Sequence, residues 1–288
     1  MKVLIIGGNR FFGRHLATEC LRAGDQVTLL NRGNIPDNLI GRPQRLKVDR
    51  SDLDAMSNAL KGKTWDIVFD PVCCDARHAK EAVKLFRGSV GRYVYTSSIS
   101  VYGDGSELKE GNLMAKDYQG DTATTADYGL AKLEAEGIFA REMPNNSVSV
   151  RLGMVVGEDD YTGRLKWHID HVLNNKAMKF TNKECRLSFI HSEQAGAAIH
   201  WIGKSTALEA VNCAAPDGLA LADFIRMVEQ AVKRKAVITT LGDESPYNIG
   251  KDLWVDTGKL THLGVKIAPT KTWMPEVITN LHKNMGKA

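Results

Sequence analysis

Two stretches of the chain hold residues suited to chemistry. In one, Tyr95-Thr96-Ser97-Ser98 runs into Ile99-Ser100-Val101-Tyr102-Gly103, and Tyr128-Gly129-Leu130-Ala131-Lys132 follows about thirty residues later. Tyr128 and Lys132 stand four apart, so on a helix they share one face. The other stretch is the opening KVLIIGGNRFFG. Val3 to Ile6 reads as a central parallel strand covered on both faces. Gly7, Gly8 and Gly13 frame a tight turn into a helix whose Phe12, Leu16 and Cys20 recur at helical spacing. Such a turn, here Gly7, Asn9, Arg10, Phe11, Phe12 and Gly13, aims backbone N–H groups and the positive helix end at a phosphate. Arg10 sits where the usual glycine fingerprint has its middle glycine.

The second strand, Gln26 to Asn31, ends where a dinucleotide-binding unit reads the adenosine ribose. An acidic residue there would accept from both ribose hydroxyls and repel a 2′-phosphate. This chain has Asn31 followed by Arg32, with Arg10 on the first turn. Two guanidiniums suit a phosphate dianion, because each offers a planar fork of donors. A charge-assisted hydrogen bond contributes roughly 1.5–3 kcal/mol, or about 10- to 150-fold in affinity. NADP is therefore expected ahead of NAD.

These residues need a scaffold, and strands alternate with helices along the chain. Arg45 to Asp49 reads as a third strand and Ser51 to Leu60 as a helix capped by Ser51. Trp65 to Asp70 is a fourth strand, Asp75 to Phe86 a helix, and Tyr93 to Thr96 a fifth strand. Tyr128 to Glu142 is helical, and Val148 to Val156 is a sixth strand. The pattern predicts an α/β fold, a Rossmann-type doubly wound parallel sheet. After Gly157 the rhythm loosens, and a helix from Ala222 to Lys233 belongs to a smaller C-terminal lobe. That lobe would lie over the strand C-terminal ends, where open α/β sheets bind ligands. Residues 1–157 are expected to bind NAD(P). Residues 158–288 would mainly bind substrate.

The 288 residues carry a net charge of +4, and the basic residues are dispersed. Nucleic acid is thus not the expected partner, and Lys233-Arg234-Lys235 reads as a solvated helix end. No apolar run approaches the length of a membrane span, and the chain opens directly on its first strand. The five cysteines are scattered and odd in number, which favours reduced thiols and a cytoplasmic location. No metal site is expected, since His168 and His171 lack a further ligand placed by sequence.

The chain resembles the extended short-chain dehydrogenase/reductase superfamily, the NAD-dependent epimerase/dehydratase family, in a branch with a GGTR-like glycine turn. GGNRFFG is similar to the glycine motif apart from Arg10, YTSSISVYG to the active-site strand, and YGLAK to the catalytic helix. VRLGMVVG resembles the segment after the sixth strand, and RLSFIHSEQAGAAI a later one. By that likeness about 184–214 return to the nucleotide-binding core, with Asn212 in its last sheet strand. Asp70-Pro71-Val72-Cys73 stands where the family often has an alanine–glycine pair.

The resemblance implies that Ser98 hydrogen-bonds the substrate oxygen while Tyr128 exchanges a proton as hydride moves to or from nicotinamide. Free tyrosine titrates at about 10 and is a poor base near neutrality. A positive charge about 4 Å away supplies on the order of 4 kcal/mol at an effective dielectric of 20. Lys132 would supply that charge and also hold the nicotinamide ribose. Asp49 would meet the adenine edge or cap a helix, and Val72 and Thr96 would line the cofactor channel. Arg186 aligns with an arginine that contacts the substrate diphosphate in sugar-nucleotide enzymes.

Dehydration is disfavoured, because Ser97 and Ser98 follow Thr96 where dehydratases carry acidic residues. The expected function is an NADP-dependent reductase or dehydrogenase acting on a small carbonyl or alcohol. A nucleotide-sugar epimerase with tightly bound NAD(P) is the alternative, and a non-catalytic nucleotide- or RNA-binding relative a further one. A homodimer pairing the helices Asp75–Phe86 and Tyr128–Glu142 is also open, with Ile138 and Phe139 serving that interface or the core.

Overall fold

Val3, Leu4, Ile5 and Ile6 are at most 1% exposed, as a strand covered on both faces requires. A computed structural model of the protein describes residues 1–120 and 126–285. The chain begins β1 (Lys2–Ile6), α1 (Phe11–Arg22), β2 (Gln26–Asn31), β3 (Gln44–Lys47), α2 (Leu53–Leu60) and β4 (Trp65–Asp70). It continues with α3 (Ala76–Phe86), β5 (Val90–Ser98), a 3-10 turn at Ile99–Tyr102, β6 (Gly105–Leu108), α4 (Tyr128–Glu142) and β7 (Ser147–Leu152). Then come β8 (Met154–Val156), α5 (Arg164–Leu173), β9 (Ala177–Lys179), β10 (Arg186–Leu187), β11 (Phe189–His191) and α6 (Ser192–Lys204). The rest is β12 (Glu209–Cys213), β13 (Leu219–Ala220), α7 (Leu221–Val232), β14 (Val237–Ile238), β15 (Asp243–Glu244), β16 (Leu253–Val255), α8 (Gly258–His262) and α9 (Thr270–Met285).

Seven strands form a parallel sheet in the order β12-β7-β5-β4-β1-β2-β3. Alternate side chains point to opposite faces. Val3 and Ile5 join the core under α1 and α6, while Leu4 and Ile6 join the core under α2, α3 and α4. This is the Rossmann-type doubly wound sheet. A separate apolar cluster gathers α5, α7 and α9. His168 belongs to that cluster, 1% exposed between Phe224 and Tyr247, with Nε2 2.7 Å from Ser245 Oγ. Burial pushes its titration down to about 3, so the ring is neutral.

Several boundaries differ from the sequence expectation, each for a local reason. β3 stops at Lys47 instead of Asp49, because it is an edge strand bonded to β2 alone. α2 begins at Leu53 and its cap is Asp52, not Ser51: Asp52 accepts from Ala55 N at 2.9 Å. The Ser51 N–H is turned to Asp49 Oδ1 at 2.8 Å. The expected sixth strand splits at Gly153. Gly153 N bonds Cys213 O, whereas Met154 N turns to Ser188 O, so β8 leaves the large sheet and pairs with β11. α7 ends at Val232, where Lys233 takes a left-handed conformation.

Every residue of α4 from Ala131 to Phe139 is buried. Its outer side is crossed by the preceding segment, and Arg141 donates to Tyr118 O at 2.8 Å. Ile138 and Phe139, 8% and 0% exposed, are core residues of the single chain. Among the described residues no helix is long and apolar enough to cross a membrane.

Candidate active site and nucleotide cleft

The glycine turn is shaped by backbone constraint. Gly7 and Gly8 hold φ of +98° and +75°, which L side chains rarely adopt. A Cβ on Gly7 would also stand 3.0 Å from Val72 Cγ1. The Asn31 amide donates to Gly7 O at 3.0 Å and its oxygen accepts from Gly33 N at 2.9 Å. Asn31 therefore lines the cleft, but its polar atoms hold the turn against the end of β2.

The turn walls a cavity of about 410 Å³ together with Arg32, Asp49, Val72, Ile35, Arg50 and Tyr161. Gly7, Asn9, Arg10, Phe11, Phe12, Gly13 and Asn31 all border it. Asn9 donates to Ile35 O at 3.2 Å. Arg32 Nη1 is 4.0 Å from Asp49 Oδ2, and both side chains are exposed. Cavity, helix N-terminus and solvent-facing guanidiniums are suited to a phosphate-bearing ligand.

Beyond Val72 the wall is organised by Asp70, a fully buried carboxylate. Arg50 Nη1 reaches its two oxygens at 2.7 and 2.6 Å, and Tyr93 donates to Oδ2 at 2.5 Å. Oδ1 accepts from Val72 N and Cys73 N, which fixes the turn that replaces the family's alanine–glycine pair. Burial and the Asp70 charge push the Cys73 thiol up, so it stays protonated at neutrality.

Lys132 meets this turn from α4. Its ammonium donates to Cys73 O at 2.7 Å and to Thr96 O at 2.9 Å, and the residue is 5% exposed. Among the described residues it has no carboxylate partner. Nζ lies 5.8 Å from the Tyr128 ring centroid, and Tyr128 is 57% exposed on the first turn of α4. Gly129 lets the first turn of α4 lie against the turn after β5, since a Cβ there would stand 2.3 Å from Ser100 O. Ser98 caps the turn at Ile99–Tyr102, its Oγ accepting from Ser100 N at 3.2 Å. Thr96 Oγ1 is buried and has no hydrogen-bond partner among the described residues.

Arg186 stands apart. It is exposed on β10, in a sheet with β13, β16 and β6, and does not border the cavity. Sequence reasoning missed Tyr161 and Arg50. Tyr161 had no local signal, while Arg50 stood beside Asp49 with its partner Asp70 twenty residues away. Among the described residues one cluster brings metal-ligand atoms together, Cys20, Asp25 and His200. Asp25 is already bonded to Lys204 and the amino terminus at 2.8 and 3.2 Å, and burial with the Asp25 charge raises the Cys20 thiol to about 12. This cluster is an ion-pair anchor.

Residues 3–214 match the profile of the NAD dependent epimerase/dehydratase family. The chain belongs to that family. The family is named for its dependence on a nicotinamide cofactor. A chloroplast stem-loop binding protein of 41 kDa from Arabidopsis thaliana is 27% identical over 202 residues, 65% of this chain and 50% of that protein. A 2'-dehydrokanamycin reductase from Streptomyces kanamyceticus is 24% identical over 208 residues, 69% and 57% respectively. The matches thus span little more than half the length of these relatives. In fold the chain is similar to UDP-glucuronic acid 4-epimerase from Bacillus cereus, with TM-score 0.76, 18% identity, and 99% and 100% of the two chains covered. UDP-glucose 4-epimerase from Thermus thermophilus gives TM-score 0.72 at 15% identity, covering 98% and 99%.

Proposed function

We propose that the protein is an NADP-dependent oxidoreductase that exchanges hydride with a small carbonyl or alcohol at Ser98, Tyr128 and Lys132. The observation that carries this reading is the Lys132 ammonium. A buried charge is normally paired, yet this one rests on two neutral carbonyls. Its field therefore remains available to an anion forming nearby, which a phenolate at Tyr128 would be.

A nicotinamide cofactor would supply the hydride acceptor or donor. Arg10, Arg32 and the glycine turn would hold its phosphates, and Asp49, Val72 and Thr96 would border it. Tyr128 would pass a proton to or from the substrate oxygen, and Ser98 would orient that oxygen. Residues 1–157 would form the cofactor domain and 158–288 mainly the substrate lobe, with 184–214 returning to the core: α6 packs on α1, and β12 pairs with β7. The reductase activity in the name of the Streptomyces relative supports this direction.

Nucleotide released from fresh protein by denaturation, followed by NADPH and NADH titration, tests the reading. Empty protein that binds NADPH more tightly than NADH supports a reductase. Stoichiometric nucleotide that survives dialysis favours an epimerase, the activity named for the structural neighbours. Arg32→Ala is expected to weaken NADPH about 10- to 150-fold with NADH little changed. An unaltered NADPH dissociation constant would remove Arg32 from the phosphate site. For the stem-loop binding named in the Arabidopsis relative, RNA affinity at low salt decides.

A further inference from the structure

The Arg10 guanidinium faces the nucleotide cleft with no hydrogen bond or ion pair among the described residues, yet it is held in place. Its guanidinium carbon lies 3.7 Å from the centroid of the Tyr161 ring. Tyr161 also meets the Phe11 ring edge-on at 5.9 Å. Both Arg10 and Tyr161 border the same cavity.

The loop that carries Tyr161 is anchored through Asp159 and closed on itself at Asp160. Asp159 binds Arg14 at 3.1 Å, His15 at 2.9 Å and Ser192 at 2.8 Å. Burial would raise the Asp159 carboxyl, but these three partners hold it below the usual carboxylate range. Asp160 accepts from the Thr162 N–H at 2.8 Å and from its hydroxyl at 2.6 Å. A segment that follows the sixth expected strand is thereby tied to α1.

An arginine can be fixed by a carboxylate or by an aromatic face, with different consequences. A carboxylate takes two of its five donors and offsets its charge. A ring face constrains the guanidinium plane and uses none of them. We propose that Tyr161 is a positioning residue that presents the Arg10 fork to a phosphate of the dinucleotide. This rests on reading the cleft as the cofactor site.

The test measures dissociation constants and off-rates of NADPH and NADH from the fluorescence of the reduced nicotinamide. Arg10→Ala is expected to bind about 10-fold or more weakly. Tyr161→Ala is expected to lose about 2- to 5-fold, and Tyr161→Phe, which keeps the ring, to stay near wild type. The Arg10→Ala/Tyr161→Ala double variant should be no weaker than Arg10→Ala alone, because the ring acts through the arginine. Losses shared by both nucleotides assign the diphosphate, and losses confined to NADPH assign the 2′-phosphate. Unchanged binding by Tyr161→Ala, or losses that add in the double variant, would overturn the positioning role alone. Wild-type protein that binds neither nucleotide would overturn the cofactor reading as well.

Discussion

Tyr128→Phe is expected to lower turnover of a carbonyl substrate by about 10²- to 10⁴-fold, the usual contribution of a positioned proton donor. Nucleotide affinity should be nearly unchanged, because the variant removes one hydroxyl from a half-exposed ring. The comparison with Lys132→Met separates the two roles. That variant removes the charge beneath the ring and leaves Cys73 O and Thr96 O without their shared donor. It should therefore impair turnover and also loosen the turn that walls the nucleotide cleft. Single-turnover rates with NADPH, beside equilibrium binding, distinguish these patterns. Full turnover by Tyr128→Phe would mean that the proton travels by another route.

The largest effect on stability is expected from Glu136→Ala. Glu136 and Arg151 are 1% and 0% exposed, and three contacts of 2.7 to 3.1 Å join them. Arg151 also donates to Tyr102 Oη at 2.7 Å and to Leu113 O at 3.0 Å. Tyr102 in turn donates to Asn212 Oδ1 at 2.9 Å. The pair thus ties α4, β7, the turn after β5, the segment over α4 and β12 to one another. Removing one partner leaves a buried charge uncompensated and costs about 3–5 kcal/mol. The double variant Glu136→Leu/Arg151→Met should lose less than either single change, since both charges leave together. Denaturant unfolding of Glu136→Leu, Arg151→Met and the double variant, beside Glu136→Ala, measures this. A single variant within about 1 kcal/mol of wild type would contradict the uncompensated-charge argument.

What the sequence revealed was local. The alternation of strands and helices, the glycine turn and the Tyr128–Lys132 face follow from periodicities of a few residues, and the structure has them where the pattern puts them. The remainder depends on pairs distant in sequence. Arg50 finds Asp70 twenty residues on, and Arg10 finds Tyr161 across the whole first half of the chain. Asn31, at the end of β2, also holds the glycine turn through Gly7 O and Gly33 N, bonds that its position in the sequence does not announce. Ser51 and Asp52 are both good caps, and only the bond from Ser51 N to Asp49 decided between them. Arg186, singled out by its neighbouring residues, lies exposed on β10 in the sheet with β13, β16 and β6, a placement that only the full fold gives.

The burial of α4 has a consequence for how this chain can vary. A helix with one wet face tolerates change at every third or fourth position, and α3 has such a face at Lys80 and Lys84. From Ala131 to Phe139, α4 has none. Those nine residues, Gly137 among them, are fitted against the strands and α3 or against the crossing segment. A substitution acceptable to one wall still has to suit the other, and a change in the crossing segment alters the fit of a helix far from it in sequence. The two stretches are therefore constrained to drift together.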